Sequence, residues 1–327
     1  IVGSRSGQGG GAMAVYASII GLDGTTIENS LSKGGTGGGA VLLDEGAEAQ
    51  VTGGSSFVKN TAGGEGTGGH VRLSASKLVV HGKNSRLMWP ASKPMFPKAV
   101  WLGAVAHVDS HPQNQPTTMT QGTASSSAGA VFCSSASSAA SSDIRLFDTP
   151  GECDSTAYPF VQDFANPNAT DKHACFSKGI YLGFGTTIEG SISSKNGGGA
   201  IDALLCDVTL DGVTLAQNTA SGTSSNGGAI LLQSSSRLKT LGATSFVNNN
   251  AAEGSGGAVA CDDCQESILS MATTLIGNTA LLPLPSCPKS INSYFTSERG
   301  PRGASCTCGK DSYSQVEDTL RVCHKCP

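Results

Sequence analysis

A Gly-Gly-Ala-aliphatic tetrad that returns about every thirty residues constrains this chain more than any other feature. It stands as Gly10-Gly11-Ala12 before Met13, Gly38-Gly39-Ala40-Val41, Gly198-Gly199-Ala200-Ile201, Gly227-Gly228-Ala229-Ile230 and Gly256-Gly257-Ala258-Val259. Gly68-Gly69-His70-Val71 is a degenerate copy. At the third position the steps are 28 and 30 residues, then a gap of 130, then 29 and 29. Weaker copies at Gly103-Ala104-Val105 and Gly129-Ala130-Val131 divide that gap. A second motif keeps the same beat, an aromatic or aliphatic residue followed three places on by Asn or Ser. Its copies are Ile27/Ser30, Phe57/Asn60, Ile188/Ser191, Leu215/Asn218, Phe246/Asn249 and Leu275/Asn278. A fixed period in this range marks stacked units, each burying its apolar face against the next.

The apolar runs after each tetrad, such as Val41-Leu42-Leu43 and Ile230-Leu231-Leu232, are too short for helices and rich in strand formers. Gly supplies 44 of 327 residues, and each would cost a helix about 1 kcal/mol. Three short strands and their turns fill one period. The chain therefore reads as all-β, a parallel β-helix from about residue 5 to 282 with roughly nine or ten coils. Phe57 and Phe246 belong to an interior ladder, and Ser30, Asn60, Ser191, Asn218, Asn249 and Asn278 to a polar column at a bend. The paired glycines are expected to supply positive φ at a corner, with the following Ala where the interior is narrow.

Residues of about 85–180 differ in kind. They hold Trp89, Trp101, most of the 13 prolines and the run Ser134–Ser142. They read as a loop-rich insertion in the solenoid domain 1–282, with Cys133, Cys153 and Cys175 as candidates to pin it. Residues 283–327 form a second unit, a small Cys-rich module that is truncated. Its few apolar side chains cannot fold some 45 residues whose ordering costs about 1.5 kcal/mol each, so covalent staples are required. Of 11 cysteines, the disulfide candidates are Cys261, Cys264, Cys287, Cys306, Cys308, Cys323 and Cys326. Cys287 with Cys306 and Cys308 with Cys323 is one scheme, and a Cys308–Cys326 pair the alternative. A chain this rich in cysteine points to an oxidising setting, extracellular or at the cell surface. The start at Ile1, without Met or a signal segment, suggests a piece of a longer or processed protein.

The alternating tetrads resemble the polymorphic outer-membrane protein repeat family, with its Gly-Gly-Ala-[Ile/Leu/Val] and Phe-x-x-Asn signatures. The likeness covers roughly residues 9–70 and 185–280. It implies a right-handed, pectin-lyase-like parallel β-helix, exported to a surface for adhesive or structural work. The run Cys306-Thr-Cys308-Gly309, Tyr313 and Cys323-His-Lys-Cys326-Pro327 is similar to Cys-rich modules found beside ephrin-receptor-like and growth-factor-like repeats.

A net charge of −4 with interspersed signs carries no nucleic-acid footprint, and no apolar run reaches the ~18 residues of a membrane span. No cofactor motif is present, and neither the histidines nor the Cys-x2-Cys pairs outweigh packed, solvated or disulfide readings as metal ligands. Asp262-Asp263 is the one Asp-Asp pair, and it reads as a solvated turn between Cys261 and Cys264. Coil-aligned acids and bases are few. The expectation is a non-enzymatic surface or matrix protein that contacts other such proteins or glycans. The alternative is a polysaccharide lyase or glycoside hydrolase on the same fold. An ice-binding solenoid would need regular outward Thr rows; Thr25-Thr26 and Thr186-Thr187 hint at one, but intermediate coils carry Ser55-Ser56 and Val213-Thr214 instead.

Overall fold

The computed structural model describes residues 1–34, 37–80, 117–134, 179–223, 225–234, 236–262 and 272–281. For five further strands, Ala99–Leu102, Arg145–Phe147, His173–Cys175, Ser312–Glu317 and Leu320–Lys325, it describes the backbone. The first of these groups forms an all-β parallel solenoid of about six turns, with no helix among the described residues.

Each coil contributes one short strand to each of four sheets. The first sheet stacks Met13–Tyr16, Val41–Asp44, Val71–Ser74, Val131–Ser134, Ile201–Leu204, Ile230–Gln233 and Val259–Asp262. The second stacks Ile19–Asp23, Glu48–Thr52, Lys77–Val80, Gly179–Leu182, Asp207–Asp211 and Arg237–Leu241, and Ala99–Leu102 pairs with the outer edge of Ile19–Asp23. The third runs from Thr26–Glu28 to Thr274–Ile276, and the fourth from Arg5–Ser6 to Thr279–Ala280.

Alternation along each strand sends every second side chain inward, where the register makes columns of like residues. On the third sheet that column is Ile27, Phe57, Met119, Ile188, Leu215, Phe246 and Leu275, all buried. Ala40, Ala130, Ala200, Ala229 and Ala258 are buried in the same core.

Two expectations change. The turns are fewer than nine or ten, because the chain leaves the second sheet after Val80 and re-enters the third at Thr118 within one coil. It leaves again between Ser134 and Gly179. The tetrad at Gly129 therefore opens a coil, whereas Gly103 lies outside the described residues. The second glycine of each pair also has a different role from the one inferred. It is required by close approach rather than by positive φ. A Cβ on Gly39, Gly69, Gly129, Gly199 or Gly228 would overlap the carbonyl oxygen of the glycine one coil further on. Left-handed backbone falls on the preceding glycine in some coils, as at Gly227 (φ 73°).

Candidate functional site

The bend between the third and fourth sheets holds the polar column. Asn218 Nδ2 donates to Asn249 Oδ1 at 2.9 Å, and Asn249 Nδ2 to Asn278 Oδ1 at 2.8 Å. Each of these side chains also closes the turn of the coil before it: Asn218 Nδ2 reaches the Ile188 carbonyl, Asn249 the Leu215 carbonyl and Asn278 the Phe246 carbonyl. Asn60 does the same toward Ile27. The residue ahead of each rung is left-handed throughout: Asn29, Lys59, Gln121, Gly190, Gln217, Asn248 and Gly277. Ser30 and Ser191 occupy the column differently. Their backbone N–H groups donate to Asn60 and Asn218, but their buried hydroxyls have no partner among the described residues.

One rung is missing from the motif because its residues are Met119 and Gly122. His70, where the other coils carry Ala, fills the vacancy. Its Nδ1 lies 3.1 Å from Asn60 Nδ2, and a Cβ on Gly122 would collide with its ring. Nε2 has no hydrogen-bond partner among the described residues. Burial lowers this imidazole to about 3, with the Thr120 backbone pulling the other way. It is a neutral packing group.

Charges gather on the outer face of the second sheet. Ile19, Glu48, Lys77, Gly179, Asp207 and Arg237 form one outward column. Glu48 pairs with Lys77 at 3.4 Å and accepts from Gln50 Nε2 at 2.6 Å. Arg237 grips Asp207 with two bonds of 2.9 and 2.6 Å. Although they point away from the coil interior, Glu48, Gln50, Lys77, Val79, Tyr181, Asp207 and Thr209 are all buried. The scarcity of coil-aligned charge read from the sequence is thus corrected. Phase could not be counted across the interruption from 135 to 178, so the shared column of Glu48 and Asp207 was not visible.

The outer face of the first sheet carries Leu42, Arg72, Phe132, Asp202, Leu231 and Ala260 in register. The Arg72 guanidinium sits 5.8 Å from the Phe132 ring centre, a favourable geometry for a cation over an aromatic face. Asp202 is fully buried, and Gln233 Nε2 donates to its Oδ1 at 2.7 Å. Burial raises this carboxyl to about 7, against opposing contributions from Gln233 and then Ser127.

Cys133 does not pin the insertion to itself. It is bonded to Cys206, one coil onward, with both sulfurs in the core. Closing a loop with 73 residues of separation stabilises by about 4 kcal/mol on the chain-entropy account. Cys206 was missed because nothing in its spacing distinguishes it. Cys261 is disulfide-bonded too. Cys264, Cys287, Cys306, Cys308 and Cys326 lie outside the described residues, as do Asp263, Trp89 and Cys153, and of Cys323, Trp101 and Cys175 only backbone is described. Among the described residues no three His, Cys, Asp or Glu side chains converge as metal ligands.

Searches against protein families, curated proteins and solved structures match nothing to this chain. What stands is the class: a parallel β-solenoid with an amide ladder at one bend and paired charges on one outer face.

Proposed function

We propose that this chain is a non-enzymatic structural or adhesion element of an extracellular or cell-surface protein, a β-helix spacer that presents faces and loops to matrix proteins or glycans. The outer face of the third sheet carries the reading. Thr26, Ser56, Thr118, Thr187, Thr214, Ser245 and Thr274 stand there one per coil. Uncharged hydroxyls at ~4.8 Å intervals offer donors and acceptors to a repeating polymer without selecting for charge. Some already bond along the row, Thr118 to Ser56 and Thr274 to Ser245.

Catalytic chemistry is less well served. Glycoside hydrolysis uses two carboxylates about 5–10 Å apart. Glu48 and Asp207 stand three coils apart, ~14 Å at the spacing of strands, and each is held by a base. The motif likeness to polymorphic outer-membrane repeats, a right-handed coil and a C-terminal Cys-rich module belong to the same proposal.

The test measures binding and turnover together on a panel of matrix polysaccharides and glycans. Saturable binding without release of reducing or unsaturated ends is expected. Thr187→Glu with Thr214→Glu should abolish that binding and leave the melting temperature within a few degrees. Polysaccharide cleavage that is lost in Glu48→Gln or Asp207→Asn would replace this reading with a carbohydrate-active enzyme.

A further inference from the structure

The chain contains two Asn-Gly dipeptides, Asn196-Gly197 and Asn226-Gly227, at corners of neighbouring coils just before the first sheet. Asn-Gly is the pairing most open to attack by a backbone nitrogen on the Asn side chain, because Gly offers no Cβ to obstruct it. The two sites are identical in sequence and opposite in structure.

At Asn226 every reacting group is held. Its Oδ1 accepts from Ser255 N at 2.9 Å and Ser255 Oγ at 3.1 Å. The nucleophile, Gly227 N–H, donates to the Ser255 carbonyl at 2.9 Å. Attack there must free the Gly227 N–H from Ser255 while Ser255 also holds the side-chain oxygen in place. Among the described residues, the exposed Asn196 side chain makes no hydrogen bond and Gly197 N–H has no acceptor. The backbone is anchored on either side: Asn196 N–H donates to the Ser126 carbonyl at 3.0 Å, and the Gly197 carbonyl accepts from Ser193 Oγ at 3.2 Å. Gly197 has φ +111° and packs against Asp202, Ala128 and Ser127, so the attacking amide sits on packed backbone while its target side chain stands exposed.

We propose that Asn196 is a site of spontaneous deamidation and backbone isomerisation, and that Asn226 is protected. Gly197 N attacks Asn196 Cγ. The new C–N bond closes a succinimide, the Cγ–Nδ2 bond breaks, and ammonia leaves with the proton from Gly197. Water then opens the ring at either carbonyl, giving aspartate or isoaspartate at position 196. Both products add one negative charge to a chain of formal charge −4. Isoaspartate also lengthens the main chain by one atom at a corner that packs on Ser127 and Ala128. The modification is a slow, irreversible change to one edge of the solenoid surface.

The experiment ages the folded protein in mildly alkaline buffer made with oxygen-18 water. Peptide mass spectrometry then follows both sites, and an isoaspartyl methyltransferase reports the isomer. Position 196 should gain acid, with one heavy oxygen, at least about tenfold faster than position 226, since hydrogen bonds to Ser255 restrain only the latter. In denaturant the two rates should converge, which shows that the fold makes the difference. Asn196→Gln should remove the methyltransferase signal from the folded protein. Equal rates at the two sites in the folded protein overturn the proposal, and so does modification of both sites only after unfolding.

Discussion

Asn249 and Ser191 occupy equivalent bends, yet they do different things for the fold. Asn249 accepts from the backbone and side chain of Asn218 and donates to Leu215 and to Asn278. Truncating it strands a buried N–H and a buried carbonyl, and each unsatisfied group costs about 1–3 kcal/mol. Asn249→Ala should therefore lower stability by about 3–5 kcal/mol. The Ser191 hydroxyl is buried with no partner among the described residues, so its removal relieves a desolvated group. Ser191→Ala should be neutral or stabilise by up to about 1 kcal/mol. Urea unfolding of the two variants decides the matter, and a Ser191→Ala protein as damaged as Asn249→Ala would show that the column works through every polar side chain alike. The sequence motif grouped Ser with Asn because both favour bends, and which of them bonds across coils depends on side-chain reach.

At the scale of the corner and the strand, the period and the inward columns were legible because a parallel solenoid aligns equivalent positions automatically. Phe57, Leu215 and Phe246 could be placed together from spacing alone. The number of coils was not legible, because strands on either side of 81–116 and 135–178 pair directly, Phe57 with Met119 and Leu78 with Ile180, which sequence distance hides. The same interruptions hid the column shared by Glu48, Lys77, Asp207 and Arg237. The glycine pair was legible as a corner but not in its cause, since close approach to the next coil leaves no local trace. That cause makes a prediction. A Cβ on Gly228 would meet only backbone, the Gly257 carbonyl and Asn250, so Gly228→Ala must push coils apart and should cost more than about 3 kcal/mol. Gly46 has φ +76° and open space around it, so Gly46→Ala carries only the left-handed penalty, about 1–2 kcal/mol. Matched thermal melts of the two variants test this ordering, and a reversed order would remove close packing as the reason for the repeat.

Across the whole molecule, two buried groups set opposite responses to pH. His70 has an ordinary value of 6.5 in the unfolded chain and about 3 in the fold. Between those values only the unfolded chain takes up the proton, so stability falls as pH drops from about 6.5 toward 3. Asp202 moves from 3.8 to about 7. Between those values only the folded chain keeps the proton, so stability falls as pH rises from about 4 to 7 and then levels off. Each contributes about 1.4 kcal/mol per pH unit at most, and over the shared window the two slopes cancel. Paired charges such as Glu48 with Lys77 are common to every variant, so differences between variants isolate the two groups. Relative to the parent, Asp202→Asn should lose about 3 kcal/mol between pH 6.5 and 4, exposing the histidine slope. His70→Gln should lose a similar amount between pH 4 and 6.5, exposing the carboxyl slope. Denaturant titrations of all three proteins at several pH values measure this directly. Parallel profiles for the parent and both variants would mean that neither group remains in its buried form at equilibrium.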